Sequence, residues 1–301
     1  MALIRSKPKD DEKKQLSISY YTKDKITCPV CKSTIKREEM LTGGGRMIAG
    51  PLTDELRRVY EPSAKYGKIY PSIYGAGACP MCSTAFFWND FKIVANKAAT
   101  AQFFKTEIQR KAAVEAVFPH YDLDRNRTLL DGAAIYYLAL LSYDLLDANF
   151  SPTIKKAMCA LRLAWLCGDM NELCPGFNYD FISKTFYQKA AFLYGEALEY
   201  ETNQAENIAN AGNLGPDIDK NYGYDGVIYL CGLLEYKYGQ QEDMELRLKK
   251  LDNSKRAIAR LFGLGKMSKT KPGPLLEHAR VLYENIGKTL HEANMPDIDD
   301  D

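Results

Sequence analysis

From about residue 97 onward, apolar residues return every three or four positions. That is the period of a helix buried along one face. Ala101, Phe104, Ile108 and Ala112 outline a first helix, which Pro119 ends. Ile135, Leu138, Leu141 and Leu145 outline a second. Ile154, Met158, Leu161 and Trp165 outline a third, with Ser151 placed as its N-cap and Pro152 at its first position. Phe186, Ala190, Leu193 and Ala197 mark a fourth, and Val227, Leu230, Leu234 and Tyr238 a fifth. Met244, Leu248, Leu251 and Ile258 mark a sixth, and Leu275, Ala279, Leu282 and Ile286 a seventh. The links at 147–150 and 239–241 are short, so the helices they join run antiparallel, as hairpins.

Stacked helical hairpins predict a mainly α, tetratricopeptide-like bundle. The best single match runs from Val227 to Ala259, where Gly232 permits close helix crossing. Met244 stands where such repeats usually place Ala. The stretch 205–221, with Gly212, Gly215 and Pro216, interrupts any regular spacing of about 34 residues. An irregular helical bundle is the alternative.

The front of the chain has another texture. Residues 1–24 are charged and without clear period, so they are expected to be a largely mobile arm. Within it Leu16, Ile18 and Tyr20 alternate with serines, which allows a short strand. Residues 25–95 are rich in Gly, Pro and Tyr, as in Thr42-Gly43-Gly44-Gly45 and Tyr74-Gly75-Ala76-Gly77. Such composition suits short strands and turns around a metal. The helical domain then covers 96–293, and residues 294–301 read as a solvated acidic tail.

Two Cys-Pro-x-Cys pairs carry the chemistry of that front segment: Cys28-Pro29-Val30-Cys31 and Cys79-Pro80-Met81-Cys82. Each can place two thiolates on one ion, and together they complete a tetrahedral four-sulfur site that suits Zn²⁺. The expected metal ligands are therefore Cys28, Cys31, Cys79 and Cys82, and the expected cofactor is a structural Zn²⁺. The 47 residues between the pairs, 32–78, exceed a compact ribbon, so an inserted loop must cross between the knuckles. Lys32 and Ser83 stand where a Gly often follows the second Cys, which weakens the amide-to-sulfur geometry to be expected. Unmetallated core cysteines, a thiol redox pair, a catalytic zinc and an iron–sulfur cluster are the alternatives. A catalytic zinc finds no support nearby, because His120, His278 and His291 all lie outside the segment. Cys159, Cys167, Cys174 and Cys231 read as buried structural thiols.

Charge changes the picture little. The chain of 301 residues carries 40 Lys/Arg and 39 Asp/Glu, a formal net charge of +1. Residues 1–95 hold 16 basic and 10 acidic residues, giving +6, and the remainder holds 24 and 29, giving −5. The local excess at Lys36, Arg37, Arg46, Arg57, Arg58, Lys65 and Lys68 is mild for a nucleic-acid stripe. No segment offers the roughly 20 continuous apolar residues of a membrane helix. The apolar run at Met1–Ile4 is too short for a secretory signal, so a cytoplasmic location is expected.

Other signals are weak. Thr42–Arg46 lacks the Lys-Ser/Thr close of a phosphate loop. Asp122–Asn126 lacks the central Gly and distal Glu of a calcium loop. Tyr136, Tyr137, Tyr187 and Tyr194 read as packing residues, some of which can line a peptide groove.

At the knuckles the chain resembles a bacterial family catalogued as a domain of unknown function, number 2225. The matching stretches are Ile26-Thr27-Cys28-Pro29-Val30-Cys31, Pro71-Ser72-Ile73-Tyr74, Cys79-Pro80-Met81-Cys82, Asn89-Asp90-Phe91 and the helical Ile228–Tyr236. The resemblance covers about residues 20–290. It implies a zinc-binding segment joined to tetratricopeptide-like helices, and it carries no established activity.

No nucleophile, base and orienting group assemble in the sequence, so a non-enzyme is expected. The leading expectation is an interaction or scaffold protein whose helical groove receives a protein or peptide partner. A nucleic-acid-binding zinc protein and, less favoured, a thiol redox sensor are the alternatives. Oligomeric state is left open.

Overall fold

The computed structural model describes residues 17–92, 97–262 and 272–293. The predicted acidic tail, the boundary near residue 95 and most of the N-terminal arm lie outside those residues. Among the described residues, three two-stranded antiparallel hairpins form the front of the molecule. Strands β1 (Ser19–Thr27) and β2 (Thr34–Met40) pair first, β3 (Ile48–Leu52) and β4 (Arg58–Glu61) next, and β5 (Ala76–Ala78) and β6 (Ala85–Phe87) last. The alternation at Ile18 and Tyr20 does herald a strand, and β1 begins inside the stretch read as mobile arm.

Eight α-helices follow among the described residues: α1 (Lys97–Lys105), α2 (Glu107–Val117), α3 (Leu129–Tyr143), α4 (Pro152–Leu173), α5 (Tyr179–Thr202), α6 (Gly223–Tyr238), α7 (Met244–Phe262) and α8 (Gly273–Glu292). From α2 onward each packs against the next in sequence, which makes the body a helical-hairpin bundle. The expected close crossing in the α6–α7 hairpin is present: a Cβ on Gly232 would sit 2.8 Å from Ile258 Cδ1. At 22 and 24 residues, α4 and α5 are much longer than α3 and α6, at 15 and 16, so the hairpins do not repeat at a fixed length.

Two local readings change. The single helix expected over 101–112 is broken at Thr106. The Thr106 hydroxyl donates back to the Gln102 carbonyl, 2.8 Å, and Arg110 Nη1 donates to the Phe103 carbonyl, 2.9 Å. Both divert the turn from a straight ladder. Ser151 occupies the predicted cap position of α4 but caps nothing. Its φ is +49° and its hydroxyl donates to the Asn207 carbonyl. Glu206 takes over, accepting from the Thr153 amide at 3.0 Å and the Thr153 hydroxyl at 2.7 Å. At α3, by contrast, Thr128 and Asp131 form a reciprocal capping box.

Helix α4 is the centre of the molecule. Nearly every side chain along it is buried, on all sides rather than one, as befits a helix surrounded by others. Helices α7 and α8 keep the one-sided pattern, burying Leu248, Leu251 and Ile258 against Leu275, Ala279, Leu282 and Ile286. The front segment docks mainly on α3. Ala85 donates its amide to Ser142 Oγ (3.1 Å), Phe87 donates to Tyr143 Oη (2.9 Å), and Tyr136 donates to the Ser72 carbonyl (2.6 Å). No described helix is long and apolar enough to cross a membrane.

Candidate metal centre

Each Cys-Pro-x-Cys pair forms the turn of a hairpin, the first between β1 and β2 and the second between β5 and β6. The two turns share one pattern of hydrogen bonds. Cys28 donates its amide to the Ser33 carbonyl (2.9 Å) and Lys32 to the Cys28 carbonyl (3.1 Å). Cys79 likewise donates to Thr84 (2.8 Å) and Ser83 to Cys79 (2.8 Å). Lys32 and Ser83, the residues in the usual Gly position, adopt left-handed φ of +65° and +53°. The knuckle backbone is therefore kept without its glycines, and the amide-to-sulfur geometry expected to suffer is intact. The Val30 and Cys31 amides point at Cys28 Sγ, the Cys82 amide at Cys79 Sγ, and the Thr84 amide at Cys82 Sγ.

All four sulfurs lie within 4.8 Å of one another. Cys28 Sγ is 3.6 Å from Cys82 Sγ, and Cys31 Sγ is 3.5 Å from Cys79 Sγ. These separations are far beyond the roughly 2.05 Å of a disulfide. They are near the edge of about 3.8 Å of a sulfur tetrahedron drawn around an ion with bonds of about 2.3 Å. Cys28, Cys79 and Cys82 are buried and Cys31 is half-buried. Two hydroxyls attend the cluster: Ser33 Oγ lies 3.0 Å from Cys31 Sγ and 3.1 Å from Cys79 Sγ, and Thr84 Oγ1 lies 3.2 Å from Cys82 Sγ. Four thiols this close cannot all ionise without a cation. Hydrogen bonds with Cys79 and Cys82, reinforced by burial, push the Cys28 thiol up, and the bond from Cys28 holds the Cys79 thiol down. The sulfur set can thus hold a metal ion, and it is the one such group among the described residues.

Arg110 of α2 joins the cluster to the helices. Its Nη2 donates to the Cys82 carbonyl at 3.0 Å while its Nη1 reaches the end of α1. Nothing in the local sequence signals this link. The histidines take no part. Of the other cysteines, Cys159 and Cys167 are buried as expected and Cys231 is half-buried, whereas Cys174, at the end of α4, is exposed.

The residues between the knuckles are a docked arm rather than a free crossing. The β3–β4 turn, Thr53–Arg57, enters the space between α4, α5 and α6. Glu55, 7% exposed, accepts from Trp165 Nε1 and Tyr187 Oη (2.8 Å), and lies near Tyr238 Oη (3.3 Å) and Lys237 Nζ (3.4 Å). Burial first and the Glu55 charge second push both tyrosine hydroxyls up, so they remain donors. Tyr229 Oη donates to the Asp54 carbonyl (2.7 Å), and Lys237 pairs with the Asp54 carboxylate (2.7 Å). The chain's own turn thereby occupies the space between α4, α5 and α6.

Part of the basic excess is spent in the same docking, at Arg57, Arg58 and Lys68, and part within the front segment itself. Arg57 pairs with Asp169, Arg58 with Asp219 at 3.0 Å, Lys68 with Glu172 at 2.8 Å, and Arg37 with Glu39 at 2.8 Å. Arg46 and Lys65 lie over the Tyr66 ring at 4.5 and 5.2 Å.

The architecture defines a class: a helical-hairpin protein with a twin-knuckle, four-cysteine front segment. The chain belongs to the bacterial family described as "Uncharacterized protein conserved in bacteria (DUF2225)", whose model matches residues 21–286. An uncharacterized protein of Borreliella burgdorferi (strain ATCC 35210 / DSM 4680 / CIP 102532 / B31) is 42% identical over 275 residues, spanning 91% of this chain and 98% of its own length. No solved structure matches the chain.

Proposed function

We propose that the protein is a non-catalytic interaction or scaffold protein of the cytoplasm, in which Cys28, Cys31, Cys79 and Cys82 hold a structural Zn²⁺. The observation that carries this reading is the set of four sulfurs within 4.8 Å of one another, which would complete a tetrahedron around one ion and leave no position for a reacting water. Bound there, the ion supplies a cross-link between two hairpins.

The partner surface we assign is not the inner groove, which Glu55 occupies, but the outer face of α5. Phe181 and Phe192 are 70% and 65% exposed, three helical turns apart on one side. Phe177 and Leu173 are also exposed, and they border a cavity of about 470 Å³ whose other walls include Met40, Tyr70 and Leu129. Exposed aromatic side chains beside an apolar cleft favour a protein or peptide partner with apolar anchors. Internal pairing of Arg37, Arg57, Arg58 and Lys68 weakens the nucleic-acid alternative.

Elemental analysis of the purified chain should give one zinc per molecule. Affinity capture should then be run with wild type and with Phe181→Asp plus Phe192→Asp, an exposed pair whose replacement leaves helicity unchanged. The expected result is a partner retained by wild type in high salt and lost by the variant. Metal-free, fully folded protein, or a capture profile identical for the two chains, refutes the reading.

A further inference from the structure

We infer that the protein carries a binding site for a small oxyanion, a phosphate- or carboxylate-bearing molecule, in the cavity beside Arg162. The site is distinct from the sulfur cluster and does not depend on the interaction role proposed above. Arg162 sits on α4 at 5% exposure, yet no carboxylate lies within ion-pair distance of it among the described residues. Its acceptors are neutral: Nε donates to the Pro216 carbonyl (2.8 Å), Nη2 to the Gly215 carbonyl (3.0 Å), and Nη1 to Tyr136 Oη (3.2 Å). A guanidinium has five N–H donors. Three are used, which leaves one on each Nη without an acceptor among the described residues. Aromatic faces supply the rest of its surroundings, with the Phe87 centroid at 5.0 Å and Tyr136 at 5.7 Å. A cation taken out of water is costly unless an anion joins it.

Arg162 lines a cavity of about 560 Å³ with mixed walls, including Arg37, Asn89, Asn213, Trp88 and Ile218. That volume suits a small organic ligand. The other charges facing it are already matched. Arg37 pairs with Glu39 at 2.8 Å, and Asp90 with the buried Lys155 at 2.9 Å. Asp217, the carboxylate that most influences Arg162, lies beyond ion-pair reach and accepts instead from the amides of Arg58 and Ile218. Of the charged side chains lining the cavity, Arg162 is the one without an ion-pair partner among the described residues. Gly75 keeps that charge reachable: a Cβ there would lie 2.9 Å from Arg162 Nη1 and 2.6 Å from Tyr136 Oη. One N–H on each Nη is thus left to donate to an oxygen of such a group.

The test is calorimetric titration of the full-length protein, as purified, with pyrophosphate, adenosine monophosphate and citrate, against chloride at matched ionic strength. Saturable binding is expected. Response to the first two identifies a phosphate group, and response to citrate a carboxylate. Arg162→Gln should weaken binding about tenfold or more. Asn89→Asp, an exposed change on the cavity wall, should weaken it about threefold to tenfold by adding a negative charge, and it decides the matter if Arg162→Gln does not fold. No saturable heat from any of the three up to about 10 mM, a range that reaches past weak binding, or affinity indifferent to Asn89→Asp, overturns the assignment.

Discussion

Lys32 and Ser83 hold left-handed backbone that favours glycine, at φ of +65° and +53°. A side chain in that region costs about 1–2 kcal/mol, part of which glycine returns through its freer unfolded chain. Lys32→Gly and Ser83→Gly should each therefore raise stability by about 0.5–1 kcal/mol, read as a higher urea midpoint with metal content unchanged. A lower midpoint for both would mean that their side chains do more than tolerate the turn. Leu56 makes a related point. It takes φ +58° in the β3–β4 turn while only 1% exposed. Its burial holds a conformation the residue type disfavours. For that reason Thr53-Asp54-Glu55-Leu56-Arg57 does not announce itself as a hairpin turn: the position that glycine normally marks is filled by leucine. The cysteines were legible because Cys-x₂-Cys is a local spacing with one dominant chemistry. Lys32 and Ser83 were legible as missing glycines, but not as residues that adopt the glycine conformation regardless.

Among the elements, the docked hairpin β3–β4 ties the front segment to three helices at once. Glu55 meets donors from α4, α5 and α6, and Tyr187 and Tyr238 stack beside it with ring centroids 4.1 Å apart. Glu55→Gln keeps a carbonyl acceptor but loses the charge, and should cost about 1–3 kcal/mol in urea unfolding. Glu55→Ala strands several buried donors and should cost about 3–5 kcal/mol. Equal stability for wild type and Glu55→Ala would show that the arm's docking is incidental. The docking could not be read from sequence, because Glu55 and Trp165 are 110 positions apart and neither carries a motif. Helix positions were legible wherever burial is one-sided, as along α7 and α8. They were less so at α4, buried all round, where periodicity shows only part of the contact surface. The break at Thr106 was hidden because it comes from side-chain hydrogen bonds that composition does not display.

Across the whole molecule, one apolar core runs from the knuckle cysteines into the helices, and most of it lies in α3 to α8. The knuckle hairpins add only three to nine residues per strand. Structural zinc in small domains contributes about 10–16 kcal/mol of apparent binding energy at neutral pH. Chelation, or Cys79→Ser, should therefore unfold the front segment and leave most of the helical signal. The expected signature is a small loss of circular dichroism at 222 nm with a marked red shift of tryptophan fluorescence. Trp88 packs in the front segment and Trp165 meets its arm, so both indoles report the change. A concerted collapse of helicity would show instead that the two parts fold as one.

The arm that carries Glu55 leaves the first knuckle and returns to the second. With an ion between them, its two ends are clasped at a single point, so it is a loop on a ring and not a lever on a hinge. It cannot swing aside as a door does. Any guest that is to occupy the slot between α4, α5 and α6 must either wait for the clasp to open or pull the loop out whole against both its anchors.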